Sequence, residues 1–264
     1  KRQQGRNRAE ISITFDDKRL NTSFGFATNS RSQVEISDLP HISLNKSPVF
    51  IPTRELITLC PWFVPLFDSY NVPFEKSWRD TVMLLGAPSL RGPRETKVRE
   101  FLSPIEAAMG GKVEVDANGR FFLKVNGGKM EAALVAEGLR KFAMLARLIS
   151  TGILLEQGYL FWDEPETNLN PKLIRVLAQV IVGLADQGIQ VFIATHSVFL
   201  LREISILTDG RKKPNSRYFA LAASGDEEVS HLEQADTIDA LETLVLLDEE
   251  LRQSERYLDA QKNG

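Results

Sequence analysis

The stretch "YLFWDEPETNLNP", residues 159–171, decides how the rest of the chain is read. Four bulky apolar residues run into Asp163, Glu164 and Pro165, and then into an Asn-rich turn. Such a near-continuous apolar run suits a strand in a sheet covered on both faces, with Phe161 and Trp162 in the core. Two adjacent carboxylates at its tip repel one another, and burying either is costly unless it is paired or holds a cation. The tip is therefore either an exposed strand end or the edge of a cation site.

The flanking sequence favours a site. Residues 129–150 predict a helix, with Leu134, Leu139, Phe142, Leu145, Ala146 and Ile149 at helical spacing. A second helix follows Pro171, with Leu173, Leu177, Val180, Ile181 and Leu184 on one face, and stops near Gly188. The strand "IQVFIAT" (189–195) then runs to His196. Strand, helix, strand in this order is a βαβ unit and predicts parallel strands. Ligands bind at the carboxyl ends of such strands. Those ends carry Asp163 and Glu164 on one strand, and Thr195, His196 and Ser197 on the other. An Asp there can hold Mg²⁺, a neighbouring Glu can orient or deprotonate water, and a His can stabilise a terminal phosphate.

Elsewhere the pattern is mixed. Residues 9–36 predict short strands: "AEISITF" alternates, "DDKRLN" turns, and "TSFGFAT" returns. "VFIPTRE" (49–55) predicts a short strand, and 56–110 is helical with loops at 86–94 and 110–111. Trp62 and Trp78 fall in this helical part and are expected in its core. "KVEVDANGRFFLKV" (112–125) predicts a hairpin around Asn118-Gly119. "SRYFALAA" (216–223) suggests an edge strand, and 239–261 an acidic helical tail.

Composition sets outer bounds. At 43% hydrophobic and 25% charged, the 264 residues are of ordinary globular character, with ample chain for a core. A net charge of −3 argues against a molecule built wholly for polyanions. Basic residues do clump at Lys1, Arg2, Arg6 and Arg8, at Arg91, Arg94, Lys97 and Arg99, and at Arg211, Lys212, Lys213 and Arg217. A solvated surface is the ordinary reading of such clumps, and a nucleic-acid contact stays open. Single Cys60 excludes an internal disulfide and a thiolate zinc cluster and fits a reducing, cytoplasmic setting. The three histidines lie far apart. No apolar run is long enough to span a membrane.

The site residues carry a resemblance. "YLFWDEP" resembles the Walker B strand of ABC-type ATPases, "TNLN" (167–170) their D-loop, and "ATHS" (194–197) their switch-histidine segment. "VAEGLRKFAMLARLI" (135–149) lies where that family has its signature helix. The wording of "DEPETNLNP" and "IATHS" is similar to the OLD-like, SMC-related branch, and "FIPTRE" with "LRGPR" to the Septu-type anti-phage defence ATPases within it. The resemblance implies an α/β, ABC-ATPase-like P-loop fold with a parallel sheet, an N-terminal antiparallel β segment and a helical insertion. It implies one domain over 1–264: a β-rich segment 1–55, insertion and hairpin 56–128, a catalytic core 129–210 and a tail 211–264. ATP and Mg²⁺ are the implied ligands. Asp163 would hold the metal, Glu164 and His196 would be catalytic, and Gly138, Arg140 and Asn170 would contact nucleotide. The implied partners are a second copy across an ATP sandwich and a separate effector, such as a nuclease or other toxin, with no membrane.

Three departures stand against it. Ala136 replaces the signature Ser, so Gly138, Arg140 or Lys141 would have to supply that contact. Asn170 replaces the D-loop Asp. No GxxxxGK[ST] phosphate loop occurs, and "GGKV" and "GGKM" do not complete one. The chain starts at Lys1, and the expectation is that the loop lies on an upstream segment. Arg54 and Glu55 are expected either near nucleotide or in a surface ion pair.

Overall fold

A computed structural model describes residues 8–27, 34–44, 48–90, 95–156, 158–211, 216–223, 230–242 and 244–262. The chain divides into two compact units, Lys1–Ser47 and Pro48–Gly264.

In the first unit the alternating segments form an antiparallel sheet, β1 (Arg8–Ile13), β2 (Thr22–Ala27) and β3 (Glu35–Asp38), in that order. The turn "DDKRLN" is built by Asp17, whose carboxylate accepts from the Arg19 N–H at 3.1 Å and from its guanidinium at 2.7 Å.

The second unit begins with β4 (Pro48–Ile51) and the insertion helices α1 (Phe63–Ser69), α2 (Lys76–Gly86) and α3 (Glu95–Met109). A meander follows, β5 (Gly111–Val115), β6 (Phe121–Val125) and β7 (Gly128–Glu131), and then α4 (Glu137–Ser150) and the short α5 (Ile153–Glu156). The predicted βαβ unit is β8 (Tyr159–Asp163), α6 (Pro171–Asp186) and β9 (Gln190–Ala194). Last come α7 (Val198–Thr208), the hairpin β10 (Tyr218–Ala223) and β11 (Ser230–Ala235), and α8 (Val245–Lys262).

Strands β4, β8 and β9 are parallel, with β8 in the middle. In-register Phe50, Phe161 and Phe192 form a row across them, and the flanking row is Ile51, Trp162 and Ile193. Ile51, Leu160 and Trp162 are at most 2% exposed and share one core with Phe142, Leu148, Leu177 and Ile181 of α4 and α6. The phenylalanine row is 36–41% exposed, with Phe161 and Phe192 stacked at 4.6 Å. Within this unit, and among the described residues, the expected cover on both faces is corrected to cover on one, and Phe161 is not a core residue. An apolar run cannot report which of its alternate residues lacks a packing layer.

Three further expectations change. The helix expected over 129–150 starts only at Glu137, because β7 pairs with β6 and Ala132–Leu134 form a 3₁₀ turn. Leu134 consequently stands 76% exposed. Trp62 is 51% exposed rather than core, whereas Trp78 packs on Phe74 and Phe74 on Phe63. Gly119, with φ +77°, makes the expected hairpin turn, which Asp116 fastens by accepting from the N–H groups of Asn118 and Arg120.

Lys1, Arg2, Arg6, Arg91, Arg94, Lys212 and Lys213, and the side chain of Lys97, lie outside the described residues. Of the remaining basic groups, Arg8, Arg211 and Arg217 form ion pairs with Glu35, Asp186 and Asp236. Among the described residues no helix is long and apolar enough to cross a membrane.

Candidate active site

The backbone first brings the acids to an edge. Asp163 ends the middle strand of the parallel sheet, level with Ala194 of β9. Glu164 donates its N–H to the Ala194 carbonyl at 2.8 Å and then leaves the sheet with φ +42°. That conformation is unfavourable for a side chain with a Cβ, and such strain concentrates at functional positions. The turn closes through Thr167 N–H to the Glu164 carbonyl and Leu169 N–H to the Glu166 carbonyl, with Asn168 at φ +65°.

The side chains then converge. Asp163 Oδ2 accepts from the Thr53 hydroxyl at 2.7 Å, tying the tip of β8 to the loop after β4. Glu164 Oε1 lies 3.5 Å from His196 Nε2, and its Oε2 accepts from the Thr167 hydroxyl at 3.1 Å. Both side chains reach solvent, Glu164 at 35% and His196 at 80%. Glu166 Oε1 accepts from the Thr195 hydroxyl at 2.6 Å and the His196 N–H at 3.2 Å, which fixes the His196 backbone. Ser197 caps α7 by accepting from the Leu200 N–H.

The structure brings Asp163, Glu164 and His196 together and places the other three sequence candidates differently. Gly138 packs against the 167–170 turn so closely that a Cβ on it would collide with the Asn168 carbonyl oxygen. Asn170 caps α6, its side chain accepting from the Leu173 N–H at 3.1 Å ahead of Pro171 at the first helical position. Arg140 turns inward. Its Nε donates to Glu55 Oε1 at 2.8 Å and its Nη1 to the Val135 carbonyl at 2.7 Å. Glu55 is fully buried, so its ion pair is internal rather than at the surface. Lys141 is also buried, and donates to the carbonyls of Glu164 and Thr167.

Thr53 and Glu166 were not visible as site residues in the sequence. Glu166 had a signal, lying two positions past the acid pair in a turn aimed at the Thr195–Ser197 strand end. Thr53 had none, because nothing local says that β4 is the neighbour of β8.

The donor set suits a hard cation. A carboxylate and a hydroxyl oxygen at a strand tip are Mg²⁺-type ligands, and Mg²⁺ completes its shell with water and substrate phosphates rather than a protein cage. Among the described residues no group of three or more His, Cys, Asp or Glu could hold a metal by itself. Asp163 and the Thr53 hydroxyl would supply two oxygen ligands to such an ion. No GxxxxGK[ST] pattern occurs in the sequence.

The fold of the parallel-sheet unit is one also seen in SMC head domains. The chain belongs to the family described as "AAA domain, putative AbiEii toxin, Type IV TA system", whose profile matches residues 8–202. An SMC head bound to the C-terminal winged-helix domain of ScpA has the same fold, at 10% identity and TM-score 0.53, over 89% of this chain and 76% of that one. The SMC head domain from Thermotoga maritima matches at 9% identity and TM-score 0.38, over 74% and 66%. A dimeric ATP-binding cassette bound to ADP and Pi matches at 12% identity and TM-score 0.30, over 69% and 66%. No curated protein matches the chain.

Proposed function

We propose that this chain hydrolyses ATP, with Glu164 as the base that orients and deprotonates the attacking water. The observation that carries this reading is Glu164 held 3.5 Å from His196 and next to Asp163, at the carboxyl edge of a parallel sheet. Thr167 fixes one carboxylate oxygen of Glu164, and the other faces His196. The water proton passes to Glu164 as its oxygen bonds to the γ-phosphorus and the bond to ADP breaks. His196 steadies the phosphate oxygens. Mg²⁺ at Asp163 would neutralise triphosphate charge.

The sequence resemblance extends this to a nucleotide-closed dimer, in which the N-terminal end of α4 in one copy, around Gly138, meets the γ-phosphate of the other. It further supports a subunit of an anti-phage defence complex whose closure controls a separate effector. An SMC-like ATPase acting on DNA shares the same residues, and DNA-stimulated turnover would favour it. A scaffold without hydrolysis is the second reading, favoured by Ala136 and by the lack of a GxxxxGK[ST] loop.

The test is Glu164→Gln in the full-length protein. Turnover should fall by about 10²–10⁴-fold with ATP binding retained. Unchanged turnover would overturn the catalytic assignment, and undetectable turnover in the unaltered protein would favour the scaffold.

A further inference from the structure

Lys141 is 1% exposed, in the middle of α4 beside Phe142, Met144 and Leu145. A buried ammonium is costly unless its donors are used. Its Nζ donates to the Glu164 carbonyl at 3.2 Å and the Thr167 carbonyl at 2.9 Å. These two carbonyls bracket the turn in which Glu164 adopts φ +42°. Holding the Glu164 carbonyl fixes the peptide plane after that residue, and so the direction of its side chain. Holding the Thr167 carbonyl fixes the residue whose hydroxyl grips the Glu164 carboxylate.

The same helix meets the turn at a second point. One helical turn before Lys141, Gly138 lies against the Asn168 carbonyl and Leu169. Burial pulls the pKa of the ammonium down to about 8, against the opposing charges of Glu166, Glu137, Glu164 and Asp163. At neutral pH the lysine is still mostly protonated.

We propose that Lys141 is a positioning residue for hydrolysis: its ammonium locks the Glu164–Thr167 turn from beneath and aims the Glu164 carboxylate toward His196. This rests on the catalytic reading of Glu164. Lys141 is sealed from solvent, so it acts through the turn and touches no nucleotide.

The experiment compares Lys141→Met and Lys141→Gln with the unaltered full-length protein, with Glu164→Gln as reference. ATP turnover is measured against ATP concentration, and amide hydrogen exchange along the chain. In Lys141→Met, kcat should fall at least tenfold with KM within twofold, because a misplaced base weakens the chemical step alone. The Thr167 and Leu169 amides should exchange at least tenfold faster, with Val180 and Ile181 in α6 unchanged. Lys141→Gln keeps a donor and should show the same local pattern at smaller size; it carries the readings if Lys141→Met does not fold. An unchanged kcat, a change in KM alone, or protection lost evenly through the core would overturn the proposal. If Glu164→Gln turns over like the unaltered protein, the catalytic reading has failed. Fast exchange confined to 164–169 would then leave a lock without a reaction, and would overturn the positioning role.

Discussion

Replacing Arg140 with leucine strands a carboxylate inside the protein. Glu55 is 0% exposed. Its Oε1 accepts from Arg140 Nε at 2.8 Å and the Thr58 hydroxyl at 3.0 Å, and its Oε2 from the N–H groups of Ile57 and Thr58 at 3.0 and 3.3 Å. Removing one partner of a buried pair costs about 3–5 kcal/mol. Three neutral donors remain on Glu55, which points to the lower end, about 3 kcal/mol, with a small addition for the freed Val135 carbonyl. Glu55→Gln should cost less, about 2 kcal/mol, because Arg140 keeps 18% exposure and can turn toward water. The double variant should be less unstable than the two single losses summed, by about 2 kcal/mol. Urea unfolding followed by tryptophan fluorescence measures this cleanly, since Trp62, Trp78 and Trp162 all lie in the Pro48–Gly264 unit. A loss below about 1 kcal/mol for Arg140→Leu, or no coupling in the cycle, would refute the reasoning. If instead Arg140 serves mainly as a nucleotide contact, the loss will appear in ATP affinity with stability unchanged.

Three other outcomes are expected. Gly138→Ala should destabilise the protein by about 2 kcal/mol in the same urea assay, because the Asn168–Leu169 backbone must move to admit the methyl; a gain in stability would count against that packing. Lys141 titrates near 8 when folded and 10.5 when unfolded, so between those values the unfolded chain binds the extra proton and stability rises with pH. The rise amounts to at most about 3.4 kcal/mol and should be missing from the pH series of Lys141→Met. Burial, with Glu55 adding to it and Arg147 opposing it, pushes the Cys60 thiol from 9.0 up to about 12. Iodoacetamide at pH 8 should therefore label the folded protein about 10³-fold more slowly than the urea-unfolded chain, and equal rates would remove the argument.

The central unit was legible because two kinds of pattern agree there. Apolar runs gave β8 and β9 within a residue or two, and the 3.6-residue pattern gave α6. Asn170-Pro171 marks its start as a cap followed by an N1 proline. The carboxyl-edge rule then gathered Asp163, Glu164 and His196 from segments thirty residues apart. Two kinds of information were missing. Neighbours across the sheet are not local, so Thr53 could not be linked to Asp163. The fate of a charged side chain on an apolar helix is not local either. Arg140 and Lys141 look like solvent-facing partners of a nucleotide, and only the approach of Glu55 and of the 164–167 carbonyls turns both inward. β7 was lost to the helix beside it because a four-residue strand is too short to set a period of its own.

The φ of +42° at Glu164 has a consequence for how this protein changes under selection. Glycine or asparagine would adopt that backbone with less strain, gaining about 1 kcal/mol. A screen that rewards heat resistance alone would therefore reward loss of the carboxylate. Libraries bred for robustness should drift toward Gly or Asn at this position unless turnover is selected at the same time. The site most exposed to such erosion is the one on which the proposed chemistry depends.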